Sequence, residues 1–224
     1  MLDRPAASRA TPVAAAIREH RLVVILRRVA PRDRLLALAG ELVQAGACVF
    51  EVTLDAPGAA EDLAALREHV LHLRSAGTWV GAGTVRSTAD VRRAVDAGAA
   101  FAVSPVLDRA VMDAAAEHDL PFIPGAYTPT EIDAAWRAGA TFVKLFPGSS
   151  AGPPHVREVR APLPEIEIIV TGGVDASNAS AFLAAGATAV GLGSALLRAT
   201  PEERRALVES IRSQPRGSAA ARRA

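Results

Sequence analysis

Lysine is almost missing from this chain. Of its 25 basic residues only one, Lys144, is lysine, and it sits in the apolar run Ala140-Thr141-Phe142-Val143-Lys144-Leu145-Phe146-Pro147. Arginine serves wherever a fixed positive charge suffices, which leaves Lys144 for chemistry that guanidinium cannot do. Arg stays protonated, whereas a desolvated Lys can lose its proton and attack a carbonyl as a free amine. The competing reading is a lysine stem packed along a strand with its head in water. Cysteine is equally scarce. Cys48 alone excludes an internal disulfide and a cysteine-based metal cluster, and its setting, Ala47-Cys48-Val49-Phe50, suits a small buried thiol. Neither sign of charge is in excess. The balance of 25 basic against 24 acidic residues offers no basic face for nucleic acid and no acidic block. No apolar run approaches the roughly 20 residues that cross a bilayer, and Met1-Leu2-Asp3-Arg4-Pro5 lacks the apolar segment of a secretory signal. A soluble cytoplasmic protein is expected, without membrane or nucleic-acid partners. The five histidines are scattered and no His, Asp and Glu set has metal-ligand spacing, so neither a metal nor an organic cofactor is expected.

What the chain does have is repetition. Half its residues are apolar, and four segments run from a helix through an Ala-Gly turn into an apolar strand: Leu42–Leu54, Ala94–Pro105, Ala135–Pro147 and Leu183–Gly193. Glycine after a helical stretch stops the helix by taking the left-handed conformation. The apolar run behind it is short enough for a buried strand. Filling the gaps predicts strands near 22–27, 48–54, 79–84, 100–105, 121–126, 142–147, 166–171 and 188–192. Helices fall between them, for example Pro31–Ala45, Thr88–Ala97 and Pro129–Ala138, with a short one in the Pro-rich segment 151–165 and another from Thr11 to His20 ahead of the first strand. Near-continuous apolar strands alternating with helices imply a parallel sheet covered on both faces. Eight such units fit an α/β fold, a (β/α)8 TIM barrel with an N-terminal helix, as one domain over residues 1–212. The alternative is an open doubly wound sheet. The tail 213–224, rich in Gly, Ala and Arg, is expected to be disordered.

In a barrel the reactive groups gather at the C-terminal strand ends. The first strand ends in Arg27-Arg28, where an Arg can fork onto a carboxylate or phosphate or simply make a surface ion pair. The second carries Glu51, with Thr53 on the same face. A carboxylate there is costly to bury unless paired, so Glu51 is a proton-transfer group beside the amine, a salt-bridge partner of Lys144, or both. The third ends in Gly81-Ala82-Gly83-Thr84, whose glycines mark close approach by a ligand or a barrel corner. The fourth ends in Ser104-Pro105 and the fifth in Pro124-Gly125, which shape the rim or only the turns. In the sixth, alternation puts Phe142, Lys144 and Phe146 on one face. If that face is the interior, desolvation lowers the amine pKa and a nearby carboxylate raises it again. The seventh ends in Thr171-Gly172-Gly173 and the eighth runs Gly191-Leu192-Gly193-Ser194, matching the recurrent phosphate site of barrel enzymes.

These residues resemble a family: the pyruvate-dependent class I aldolases that cleave 2-keto-3-deoxy-6-phosphogluconate (KDPG), along with 4-hydroxy-2-oxoglutarate (KHG) in bifunctional members. The likeness runs from about Arg21 to Thr200 and rests on Glu51-Val52-Thr53-Leu54, Gly81–Thr84, Ser104-Pro105, Pro124-Gly125, Lys144–Pro147 and Thr171–Gly173. It implies that Lys144 is the Schiff-base lysine and Glu51 the general acid/base. Arg27 would help bind the substrate carboxylate, and Thr84, Pro105 and Phe146 would line the pyruvyl pocket. Thr171, Gly172, Gly173 and Ser194 would lie around the distal phosphate. A phosphorylated keto sugar acid and pyruvate are the implied ligands, and a homotrimer the implied assembly. The chain departs from the resemblance at Asp55, where many members carry Arg, so the sugar acid could be KDPG or its galactonate epimer. A phosphosugar isomerase or epimerase barrel, keeping the phosphate loop without the imine, and a non-catalytic phosphometabolite-binding barrel are the other classes these residues allow.

Overall fold

The computed structural model describes residues 9–73 and 77–214. In chain order the elements are α1 (Pro12–His20), β1 (Leu22–Leu26), α2 (Arg32–Gln44), β2 (Val49–Thr53), α3 (Ala59–His72), β3 (Trp79–Gly83), α4 (Thr88–Asp96), β4 (Ala102–Val103), α5 (Arg109–Glu117) and β5 (Phe122–Ile123). They continue with β6 (Gly125–Ala126), α6 (Pro129–Arg137), β7 (Val143–Leu145), α7 (Gly148–Arg160), β8 (Ile168–Thr171), α8 (Ala179–Ala184), β9 (Ala189–Leu192), α9 (Ser194–Arg198) and α10 (Pro201–Arg212).

The strands form one sheet in the order β5-β4-β3-β2-β1-β9-β8-β7-β6, and every pairing is parallel. The two ends of that order are halves of one strand. Pro124 separates β5 from β6 and has no N–H to give to a ladder. Its first half pairs with β4 and its second with β7, while the Pro124 carbonyl accepts the Lys144 N–H at 2.9 Å. The ring therefore closes on eight strand positions, as the alternation of elements predicts. All four Ala-Gly joints behave as read: Gly46, Gly98, Gly139 and Gly186 have φ between 75° and 106°.

Alternation of side chains splits the apolar residues into two cores. Leu22, Val24, Leu26, Phe50 and Val52 face outward and pack under the helices. Val23, Val49, Phe101, Val103, Ile123, Phe142, Ile169 and Ala189 face inward and meet Val13, Ala14, Ala16 and Ile17 of α1. Helix α1 thus plugs the N-terminal end of the barrel. Thr11 caps it, Pro12 opens it, and Arg21 ends it in the left-handed region at φ 58°. Because hydrocarbon seals that end, buried polar groups on the inner face sit in the upper half.

The short helix expected within 151–165 is there, as the second piece of α7, which spans Gly148–Arg160. Helix α7 breaks at Gly152, with φ 69° and ψ 165°, and Pro153 and Pro154 begin its second piece, where missing N–H groups cost little. Ser213 and Gln214, assigned to the tail, close α10: Ser213 is its C-cap and Gln214 Nε2 donates to Ser180 Oγ at 2.9 Å. The rest of the expected tail, 215–224, lies outside the described residues.

Cys48 is half-buried rather than buried, at the edge of the inner core and on the wall of a cavity of about 490 Å³ at the sealed end. Burial pushes its thiol up to about 12, with Arg212 opposing. The thiolate is the reactive species. Alkylation of the folded protein near pH 8 should therefore run on the order of a thousandfold slower than in denaturant, which iodoacetamide labelling with mass readout checks.

Candidate active site

The upper half of the barrel interior carries Glu51, Thr53, Lys144 and Thr171, all buried. Lys144 lies in the middle of β7, paired in register with Gly125 and Ile169, and is 7% exposed. Phe142, two residues before it, is in the inner core. Phe146, two residues after, stands at the mouth with its ring centroid 5.0 Å from Lys144 Nζ. The face expected from alternation is the inner one.

Glu51 lies in the middle of β2 beside Ile25 and Gly81 and is 2% exposed. The glycines of β3 make room for the protein's own groups. A Cβ at Gly81 would enter the Phe101 ring, and one at Gly83 would overlap the Glu51 carboxylate. Thus Gly83 admits an acid across the neighbouring strand, where a ligand or a barrel corner had been the readings. Burial pushes the Glu51 carboxyl up from the ordinary carboxylate range, against the pull of Lys144 and Arg27, with Asp55 adding to the rise. Among the described residues Glu51 and Lys144 form no ion pair within 4 Å. They feel each other's charge without closing the salt bridge that the sequence allowed.

At the mouth above β1 and β2, Arg27 and Arg28 are 57% and 65% exposed and both reach Asp55, which is 13% exposed. The other expected residues ring the same opening. Thr84 follows β3 in the left-handed region at φ 59° and Pro105 follows β4, both half-buried. Ser104 is buried and its Oγ accepts the Val106 N–H at 3.3 Å. Thr171 ends β8 with a buried hydroxyl that has no hydrogen-bond partner. Gly172 and Gly173 follow at φ 83° and 78°, and their carbonyls are occupied by Ser149 N–H at 2.8 Å and Asn178 Nδ2 at 2.9 Å. A Cβ at Gly172 would lie 2.9 Å from the Phe146 ring, so this loop folds against the mouth aromatic. Ser194 is exposed at the start of α9. The sequence reading missed Asp55 as the anchor of both arginines. The signal was an acid just past one strand end beside two arginines at the next.

The arrangement is a buried amine beside a carboxyl biased toward its neutral form under a cationic rim, and comparisons with known proteins supply the family. The model of the KDPG and KHG aldolases matches residues 13–209. The chain belongs to that family. It is 37% identical over 181 residues, 80% of this chain and 83% of the relative, to a probable 2-dehydro-3-deoxy-6-phosphogalactonate aldolase of Rhizobium meliloti (strain 1021). A 2-dehydro-3-deoxy-phosphogluconate aldolase of Pseudomonas aeruginosa is 32% identical over 75% of this chain and 74% of the relative. Among solved structures, a KDPG aldolase from Legionella pneumophila, holding pyruvate as a covalent carbinolamine, superposes with a TM-score of 0.75 at 25% identity, covering 92% of this chain and 98% of that one. As an aldolase by family, the protein is a lyase on a barrel scaffold.

Two outcomes test this geometry. A carboxyl whose pKa is raised on folding favours the protonated native state, so its contribution is present at low pH and lost as pH rises through the raised value. Glu51→Gln should match wild type in melting temperature near pH 4 and exceed it progressively toward about pH 8. Gly83→Ala should displace the Glu51 carboxylate. Activity should fall roughly a hundredfold while circular dichroism stays that of a folded barrel.

Proposed function

We propose that the protein is a class I aldolase that cleaves a 2-keto-3-deoxy-6-phospho sugar acid, KDPG or its galactonate epimer, to pyruvate and glyceraldehyde 3-phosphate. The observation that carries this reading is the lone lysine, buried inside the closed ring and not locked in an ion pair. In this scheme the Lys144 amine adds to the C2 ketone, the protonated Glu51 gives its proton to the departing hydroxyl, and loss of water leaves an iminium ion and the Glu51 carboxylate. That cation draws in the electron pair of the C3–C4 bond. Glu51, through a water molecule, removes the C4 hydroxyl proton, the C3–C4 bond breaks, and glyceraldehyde 3-phosphate departs. The enamine left on Lys144 takes a proton at C3 and water releases pyruvate. The iminium is the electron sink, so no metal or organic cofactor enters the scheme.

The remaining residues take supporting roles in the same proposal. Arg27 meets the substrate carboxylate, and Thr84, Pro105 and Phe146 wall the pyruvyl end. The unpartnered Thr171 hydroxyl and the backbone of Gly172, Gly173 and Ser194 face the distal phosphate end. A homotrimer and a cytoplasmic site of action belong to the same reading. No helix among the described residues is long and apolar enough to cross a membrane.

The galactonate epimer has its own support. The Rhizobium relative carries that name, and Asp55 stands where many family members have Arg. Comparing kcat/KM for the two C4 epimers and for 4-hydroxy-2-oxoglutarate separates the alternatives.

Borohydride reduction in the presence of pyruvate should leave a stable adduct on the peptide containing Lys144. A wholly unmodified Lys144 would count against the scheme, and survival of activity after such treatment would favour an isomerase without imine chemistry. Lys144→Arg should abolish both adduct and turnover, whereas Glu51→Gln should still form the adduct with turnover lowered about 10²- to 10⁴-fold.

A further inference from the structure

The ion pairs at the mouth converge on one atom. Asp55 Oδ2 accepts from Arg27 Nη2 at 2.8 Å and Nε at 3.1 Å, and Arg28 Nη2 lies 3.2 Å from it. Arg28 Nη2 also donates to the Asp55 carbonyl at 3.3 Å. Arg28 reaches this position from a left-handed backbone, φ 50°, a conformation unfavourable for a non-glycine residue. Such outliers persist where surrounding contacts over-determine them and cluster at functional sites. Asp55 is far less exposed than either arginine, so it is the fixed member of the group and the two long side chains are what it fixes.

We propose that Asp55 is the positioning residue of this site: by holding Arg27, and with it Arg28, on one carboxylate oxygen, it presents a pre-set guanidinium to the carboxylate of the keto acid. The inference rests on the aldol reading above. An exposed arginine loses rotamer freedom when a ligand immobilises it, and a guanidinium already held gives up less on binding. Neutralisation would defeat the purpose if Arg27 were alone, because one carboxylate would cancel one cation. Arg28 answers this. Two guanidinium groups against one carboxylate leave the cluster with one net positive charge to draw in an anion. The sum requires Asp55 to be ionised. Burial pushes its carboxyl up, but Arg27 and Arg28 on its Oδ2 hold it below the usual range. Arg27 and Asp55 also both act on Glu51, with opposite signs, which places the cluster within electrostatic reach of the reacting centre.

The test reads the pyruvate concentration that half-saturates borohydride trapping on Lys144, alongside the limiting trapping rate. Asp55→Ala should raise that concentration about tenfold with little change in limiting rate, and Asp55→Asn, which keeps the shape, should move it less in the same direction. Arg27→Ala should raise it at least as far, and Asp55→Ala should add nothing in that background. Unchanged or tighter pyruvate binding in both Asp55 variants would overturn the proposal, since Asp55 would then only screen the arginines. Effects that simply add to those of Arg27→Ala would overturn it too. Failure of wild type to trap pyruvate at all would instead strike the aldol reading on which this one stands.

Discussion

A primary amine buried in hydrocarbon and left out of an ion pair is the constraint around which this molecule is arranged. In a dry interior two opposite charges in contact stabilise each other strongly, and breaking such a pair strands a charge at a cost of several kcal/mol. A lysine locked that way would be a poor nucleophile. Here the acid is buried within electrostatic reach of Lys144, yet no salt bridge closes between them. Desolvation carries most of the rise on Glu51 and biases it toward the neutral carboxyl.

That requirement explains the vertical division of the barrel. The inner core of Val23, Val49, Phe101, Phe142 and Ile169, closed by Val13 and Ile17 of α1, keeps water from reaching Lys144 from below. The polar quartet of Glu51, Thr53, Lys144 and Thr171 occupies the level above. Buried polar groups without partners, such as the hydroxyl of Thr171, lower stability, and they sit where the outer helix–sheet core can carry that loss. Gly83 belongs to the same design. With any side chain at that position β3 could not share its inner face with the Glu51 carboxylate.

The sequence made the frame legible because the frame is built by repetition. Helix, Ala-Gly turn and apolar strand recur, and Gly46, Gly98, Gly139 and Gly186 all take the left-handed conformation that their position in the pattern demands. Lys144 stood out because every other cation is arginine, and alternation put it on one face with Phe142 and Phe146, which the structure shows to be the inner one. What could not be read depends on distances between strands that are remote in sequence. The purpose of Gly81 and Gly83 lies in Phe101 and Glu51, on the two neighbouring strands. The convergence of Arg27 and Arg28 on Asp55 needs the β1–β2 register, Ile25 beside Glu51, to bring the two strand ends together.

The rim follows a different electrostatic logic from the interior. Below, charge is kept scarce so that a proton can move; above, three full charges crowd one corner in contact with water. The guanidinium groups of Arg27 and Arg28 are more than half exposed, and on their own such pairs contribute little to stability. Their grouping on the sheltered Asp55 is better understood through ligand binding than through folding. In the proposed reading, a substrate carboxylate arriving at this corner loses water of hydration and must recover it from donors already in place. Two free arginines would supply more charge but less order, and an uncompensated pair would also pull harder on Glu51, toward the carboxylate form that burial disfavours. Asp55 opposes that pull on Glu51 while leaving one positive charge at the entrance, so in the proposed scheme the residue that orders the rim also offsets part of the field the rim exerts on the buried acid.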